Sequence, residues 1–296
     1  MGYEIITMVI KHIVISGGGP TGLLSYGVIK CLFQEKYLKF EEIETIYGTS
    51  IGAILAVIIC LKHDWKTIDD YLIKRPWEKV MVDSFEMFQL FSCKGIAQLK
   101  MLDDIMKPLL ESNDLSLSIT MLDFYKYSGI TLNIFTLELN EFKKISLSHI
   151  THPDMCLMDA IKMSACVPIL FPPIIKNNHC YVDGGVICNY PLRECLTETN
   201  CSVDEVLGIR NYWSENEGIT ENSSLISYLH FINMKLIRVV NNSLSDSIPN
   251  EVVCKVKPNM NPSEWFSILS DETQRLAWIE DGESFAKTFL LQNRYK

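Results

Sequence analysis

Ser50 has the surroundings a nucleophilic hydroxyl needs. It stands in Gly48-Thr49-Ser50-Ile51-Gly52, after the apolar stretch Ile43 to Tyr47 and before the long apolar run Gly52 to Leu61. A strand, a tight turn, a serine and a buried helix, in that order, make a nucleophile elbow. Gly48 and Gly52 remove the β-carbons that would collide as the chain reverses. Ser50 is then left at the N-terminus of a helix, whose free N–H groups favour negative charge. The pentapeptide alone is common, so attack on an acyl carbonyl also requires an oxyanion site and a base elsewhere in the chain.

Two other stretches could supply them. Ser16-Gly17-Gly18-Gly19-Pro20-Thr21-Gly22 follows the apolar strand His12 to Ile15 and precedes a helical pattern from Leu23 to Lys36. Consecutive glycines let backbone N–H groups point together at a carbonyl oxygen, and such fixed donors are worth about 3–4 kcal/mol each in a transition state. Gly18 and Gly19 are the donor candidates. Residues 17–22 also fit Gly-x-Gly-x-x-Gly, so a dinucleotide-binding fold is a rival. That fold wants an acidic residue at the end of the second strand, where this chain has Gly-Thr-Ser-Ile-Gly, with Glu41, Glu42 and Glu44 before or at its start.

The third stretch is Asp183-Gly184-Gly185, after the strand Cys180 to Val182. It reads either as a plain Asp-Gly turn or as a carboxylate at the carboxyl end of a strand, where parallel sheets place their sites. Of the six histidines only His230 follows Asp183, as a serine–acid–histidine order would require. Its neighbours Leu229 and Phe231 make it an interfacial residue of an amphipathic helix. Ser50–Asp183–His230 stays open as an alternative triad. His179 lies four residues before Asp183, over 10 Å away by the strand rise. No metal-ligand spacing occurs, and no metal or cofactor is expected.

The elements that must position these residues open as strand, loop, helix, strand, elbow, helix. That order predicts an α/β fold, a mostly parallel central sheet sandwiched by helices. Residues 65–127 are rich in Met, Phe, Lys and Asp and read as a helical insertion after the nucleophile helix, with segments Ile68 to Leu72, Phe85 to Phe91 and Gly95 to Leu110. The cluster Phe85, Met87, Phe88, Leu90 and Phe91 fits ordinary core or an acyl-chain pocket. Strands are expected at Ile130 to Leu137, Lys144 to Leu147, Glu205 to Arg210 and Glu251 to Val256. Helices are expected at Leu157 to Ser164, Ser224 to Asn241 and Asp271 to Leu291. With no repeats and no linker, residues 1–296 read as one domain.

Composition narrows the partners. A net charge of −9 with no long Lys/Arg run argues against nucleic acid. The 48% hydrophobic content and mean hydropathy of +0.12 support a sizeable core. Ten scattered cysteines without a Cys-x-x-Cys pair read as free thiols in a reducing, cytoplasmic compartment. The N-terminal segment is interrupted by Glu4, Lys11 and His12 and reads as no signal peptide. The apolar run Ile51 to Leu61 is too short to span a bilayer.

Glycine loop, Gly-x-Ser-x-Gly and Asp-Gly-Gly, in that order, make the sequence resemble the patatin-like phospholipase family. Ser164-Ala165-Cys166-Val167-Pro168 and Phe171-Pro172-Pro173 are similar to the segment before that family's aspartate strand. The resemblance covers roughly residues 10–195. It implies an α/β fold and a Ser50–Asp183 dyad in place of a triad, with Asp183 taking the Ser50 proton directly. It also implies an oxyanion hole from the N–H groups of Gly18 and Gly19, joined by Ile51. Gly17, Gly22, Gly48, Gly52, Gly184 and Gly185 fall on the motif glycines. The implied substrate is a phospholipid, lysophospholipid or neutral lipid ester at a membrane or micelle surface, and an activating partner protein is left open. The other reading open here is a lipid-binding module without catalysis. The chain departs from the family at Thr21, where a basic residue is usual. Backbone donors do not depend on that side chain, but the positive field beside the site does. A carboxylate with an ordinary pKa near 3.9 is a weak base at neutral pH, so burial must raise that of Asp183.

Overall fold

The computed structural model describes residues 9–82, 94–213, 218–242, 247–256 and 262–293. The expected helix Phe85 to Phe91, with its apolar cluster, and the N-terminal stretch through Met8 lie outside the described residues.

The chain begins with β1 (His12–Ile15), α1 (Gly22–Gln34), β2 (Thr45–Thr49) and α2 (Ile51–Leu61). The helical insertion contributes α3 (Trp65–Lys74), α4 (Trp77–Val82), α5 (Lys100–Glu111) and α6 (Met121–Ser128). Then follow β3 (Thr131–Glu138), β4 (Lys143–Leu147), α7 (Leu157–Ala165), β5 (Ile174–Lys176), β6 (His179–Asp183) and α8 (Leu192–Thr199). The chain continues through β7 (Val206–Trp213), α9 (Leu225–Asn242), β8 (Glu251–Val256), α10 (Pro262–Ser270) and α11 (Glu272–Asn293).

The strands join in one sheet. Its parallel part runs β3-β2-β1-β7-β8, and β4, β5 and β6 add antiparallel pairings beside β3. All four residues of β1 are buried because helices cover both faces; three are apolar, and the His12 ring is partnered by the Thr45 hydroxyl at 2.8 Å. Alternate residues serve opposite faces. Ile13 and Ile15 pack into the larger core with Val28, Leu32, Ile54 and Ile58, whereas Val14 joins Tyr47, Phe135, Leu192 and Cys195 on the other face.

The structure corrects the sequence reading in several places. Helix α5 begins at Lys100 instead of Gly95, because the N–H groups of Ile96 and Ala97 donate to the carbonyls of Ile169 and Leu170 at 3.2 and 2.8 Å instead of entering a helix. The elements β5, α4, α6, α8 and α10 were not anticipated. Each is short, and a three-residue strand or a helix of two or three turns carries little periodicity to read. Among the described residues no helix is long and apolar enough to cross a membrane, and every described cysteine is a free thiol.

Candidate active site

Ser50 occupies a turn that its neighbours hold under strain. Its φ and ψ are 56° and −124°, a left-handed conformation uncommon outside glycine. A β-carbon on Gly48 would come within 2.6 Å of the Gly52 carbonyl oxygen, and one on Gly52 would strike the Ile15 carbonyl. The two glycines thus let β2, α2 and β1 close around the serine. The Ser50 carbonyl accepts from Ala53 N–H at 2.9 Å, and its N–H donates to the buried Ser164 hydroxyl on α7 at 2.9 Å.

Asp183 reaches Ser50 through strand register. Thr49 lies opposite Phe135 on β3, and Asp183 lies opposite Thr136, the next residue. Strand β4 pairs with β3 over Ile134 to Glu138, so β6 shares the other edge of β3 with β2. The two strands run in opposite directions and meet at their carboxyl ends. This corrects the rationale for Asp183 drawn from sequence: it is near the site because β6 is antiparallel, not because it belongs to the parallel set.

The Asp183 carboxylate is buried. Oδ1 accepts from Gly185 N–H at 2.6 Å, while Oδ2 has no hydrogen bond of ordinary geometry. Burial pushes its pKa from 3.8 up to about 6, and the Ser50 hydroxyl and the Gly185 N–H partly offset that rise. The hydroxyl is therefore within interaction range of the carboxylate without a well-formed hydrogen bond, a common arrangement before substrate binds.

The glycine loop lies against the elbow. Gly17 packs on the Ser50 β-carbon and donates to the Asn189 carbonyl at 2.9 Å. Neither Gly18 nor Gly19 N–H donates to a described backbone carbonyl. Gly19 has φ of +58°, and the Trp265 indole fills the space its side chain would need, 2.5 Å from an ideal β-carbon. Ile51 opens α2, so its N–H is among those a helix leaves without an internal partner. Gly22 opens α1 against the Ile51 side chain, and Gly184 packs on the Phe135 carbonyl. Thr21 is buried, and its hydroxyl donates to the Gly18 carbonyl at 3.0 Å, steadying the loop it belongs to.

Two cavities meet at Ser50 and Gly19. One, of about 180 Å³, is apolar and follows α2 past Ile51, Ile54, Leu55 and Ile58 toward Trp77 on α4 and Leu102 on α5. The other, of about 530 Å³, is the more polar of the two and contains Asp183 and Gly18, with Arg193, Arg210, Lys235 and Arg238 in its wall. Arg210 is held at 3.0 Å by Glu251 and lies over the Tyr190 ring. Glu194 lines the same cavity, and the cations around it come from α8, β7 and α9, not from the Thr21 position.

Several of these residues escaped the sequence reading. Asn241 on α9 donates to the Gly185 carbonyl at 3.0 Å and accepts from Asn189 N–H at 2.7 Å, tying that helix to the Asp183 turn. Asn211 on β7 donates to the Ser25 hydroxyl at 3.3 Å and also lines the polar cavity. Ser164 was read only as part of the segment before the aspartate strand, and no local signal marks Asn189, Asn211, Asn241 or Trp265, because their importance arises from contacts far away in sequence. His230, expected at an interface, is instead buried edge-on against Trp265 and lines neither cavity.

Residues 13–196 match the family model of patatin-like phospholipases, a span that contains the elbow, the glycine loop and Asp183. The chain belongs to the patatin-like phospholipase family. It is 24% identical over 290 residues to the probable lipid hydrolase 463L of Invertebrate iridescent virus 6, covering 96% of this chain and 90% of that one. It is 26% identical over 206 residues to a patatin-like phospholipase domain-containing protein of Cryptococcus neoformans, covering 64% of this chain and 23% of the longer relative. Among solved structures, VipD from Legionella pneumophila superposes with a TM-score of 0.57 at 16% identity, covering 96% of this chain and 67% of VipD. That likeness concerns the fold, which is the patatin-like α/β arrangement the resemblance implied. Membership and relatives together support lipid hydrolysis as the general activity.

Proposed function

We propose that this patatin-like chain hydrolyses a fatty-acyl ester of a glycerophospholipid or lysophospholipid, with Ser50 as nucleophile and Asp183 as base. The observation that carries this reading is the position of Ser50 where an apolar cavity meets a polar one. The acyl chain runs along α2, and the phosphate-bearing head lies toward Arg193, Lys235 and Arg238. Ser50 Oγ attacks the ester carbonyl carbon and passes its proton to Asp183. The tetrahedral oxyanion accepts hydrogen bonds from Gly18 and Gly19, joined by Ile51. Asp183 returns the proton to the departing glycerol oxygen as the carbon–oxygen bond breaks. Water then donates a proton to Asp183 and attacks the acyl-serine, and the proton returns to Ser50 as the fatty acid leaves. A pKa near 6 lets the carboxylate be ionised at neutral pH and still accept a proton.

The burial of His230 behind Trp265 favours the dyad over a triad. A panel of lipids, read by mass spectrometry for wild type, Ser50→Ala, Asp183→Asn and His230→Ala, tests the reading. Fatty-acid release is expected to vanish in the first two variants and persist in the third. Substantial release by Ser50→Ala overturns the proposal, and complete loss in a folded His230→Ala points to the triad. A fluorophosphonate probe that labels wild type but not Ser50→Ala separates a hydrolase from a non-catalytic lipid-binding module.

A further inference from the structure

Helix α9 has two unlike faces. Met234, Ile237 and Asn241 line the polar cavity, and His230 is buried against Trp265. Leu225, Tyr228, Leu229, Ile232, Leu236 and Val239 are all exposed. On a helix these positions fall within one continuous stripe, turned away from Met234, Ile237 and Asn241, with Val239 at the edge where the stripe reaches the cavity wall. A contiguous exposed apolar patch on a protein surface marks a site of association.

Charge and position identify what it associates with. Residues 225–242 carry Lys235 and Arg238 and no Asp or Glu, in a chain whose net charge is −9. Lys235 flanks the stripe and Arg238 lies at the cavity wall. An apolar stripe edged by bases, on a helix without acids, has the composition of a helix that lies in the headgroup region of a bilayer. The other face of the same helix walls the cavity that holds Asp183, and Lys235 and Val239 at the edge of the stripe line that cavity too, so a surface bound to the stripe lies beside it.

We infer that α9 is the docking surface by which this protein lies on a phospholipid bilayer. The stripe sits at the boundary between headgroups and acyl chains, and Lys235 lies at the level of the phosphates. Its long stem allows the ammonium group to stay there while the apolar stripe sinks deeper. The inference rests on reading the cavities at Ser50 as a lipid site, and its test does not require turnover.

The test is flotation of the Ser50→Ala protein with phosphatidylcholine–phosphatidylserine vesicles, with and without Leu225→Gln and Leu236→Gln. Both leucines are largely exposed, at 63% and 60%, and thermal unfolding checks that the variant stays folded. Partition onto vesicles is expected to fall about tenfold or more in the double variant, the scale set by the apolar area two leucines withdraw from lipid. In a separate protein, a Tyr228→Trp reporter is expected to shift its emission to the blue on vesicle addition. Equal vesicle binding with and without the two leucine substitutions, or a reporter that does not shift, overturns the inference. So does a wild-type dimer in sedimentation that the two substitutions dissolve while vesicle binding stays the same. If wild type binds vesicles through the stripe yet releases no fatty acid, the docking surface stands and the hydrolase reading fails. If it hydrolyses dispersed short-chain ester and its vesicle binding ignores the stripe, the reverse holds.

Discussion

Ser164 on α7 accepts the backbone N–H of Ser50 at 2.9 Å, and both residues are buried. This bond fixes the strained elbow from outside the strand–turn–helix unit. Ser164→Ala removes the acceptor and leaves a buried N–H unpaired, at a cost of about 1–3 kcal/mol. We expect a lower urea midpoint and a fall in kcat larger than any change in KM, because the elbow loosens while both cavities remain.

Asp183→Asn separates stability from activity. The folded carboxyl holds its proton to about pH 6, whereas the unfolded one releases it near 3.8. Between these values the folded state binds more protons, so stability falls as pH rises and the full penalty is present above pH 6. That penalty is about 3 kcal/mol. The amide of the Asp183→Asn variant cannot ionise, so urea unfolding at pH 7.5 is expected to show a more stable protein, with the difference closing near pH 4. The kcat of the variant is expected to drop by about a thousandfold.

The rate should carry the same ionisation. With Asp183 as base, kcat/KM rises with pH through an apparent pKa near 6 and then levels. His230→Ala is expected to keep that profile, since its ring lies against Trp265. Loss of the acid limb in His230→Ala would assign the ionisation to the histidine.

Gly19 and Trp265 should be coupled. Gly19→Ala forces a side chain into a left-handed backbone and into the indole, at a cost of about 1–3 kcal/mol for the backbone alone. Trp265→Ala makes room but leaves the backbone strain. A double-mutant cycle in thermal unfolding should therefore show the double variant less destabilised than the sum of its parts.

Ile58 lies two turns of α2 beyond Ile51 along the apolar cavity. Ile58→Phe shortens the cavity away from the nucleophile. Turnover of long-chain esters is expected to fall about tenfold against short-chain esters of the same head group, the scale of discrimination that one or two methylene groups give in an apolar pocket. Equal effects on both chain lengths would place the acyl chain elsewhere.

What the sequence determined by itself was the part written in local backbone needs. Gly48 and Gly52 announce the elbow because no side chain fits where β2 reverses into α2, and the apolar runs on either side are long enough to identify the strand and the helix. The glycine loop is legible for the same reason, sitting between a strand and a thirteen-residue helix. Asp183 was legible as a turn residue, and the role proposed for it came from the order of three motifs. Tertiary structure alone decided how Asp183 meets Ser50, because a strand's direction and the edge it joins depend on partners, not on its own residues. The cations around the polar cavity and the indole over Gly19 likewise come from elements far along the chain. Side chains that act only across such distances leave no spacing to read, since their contacts exist only once the sheet has assembled.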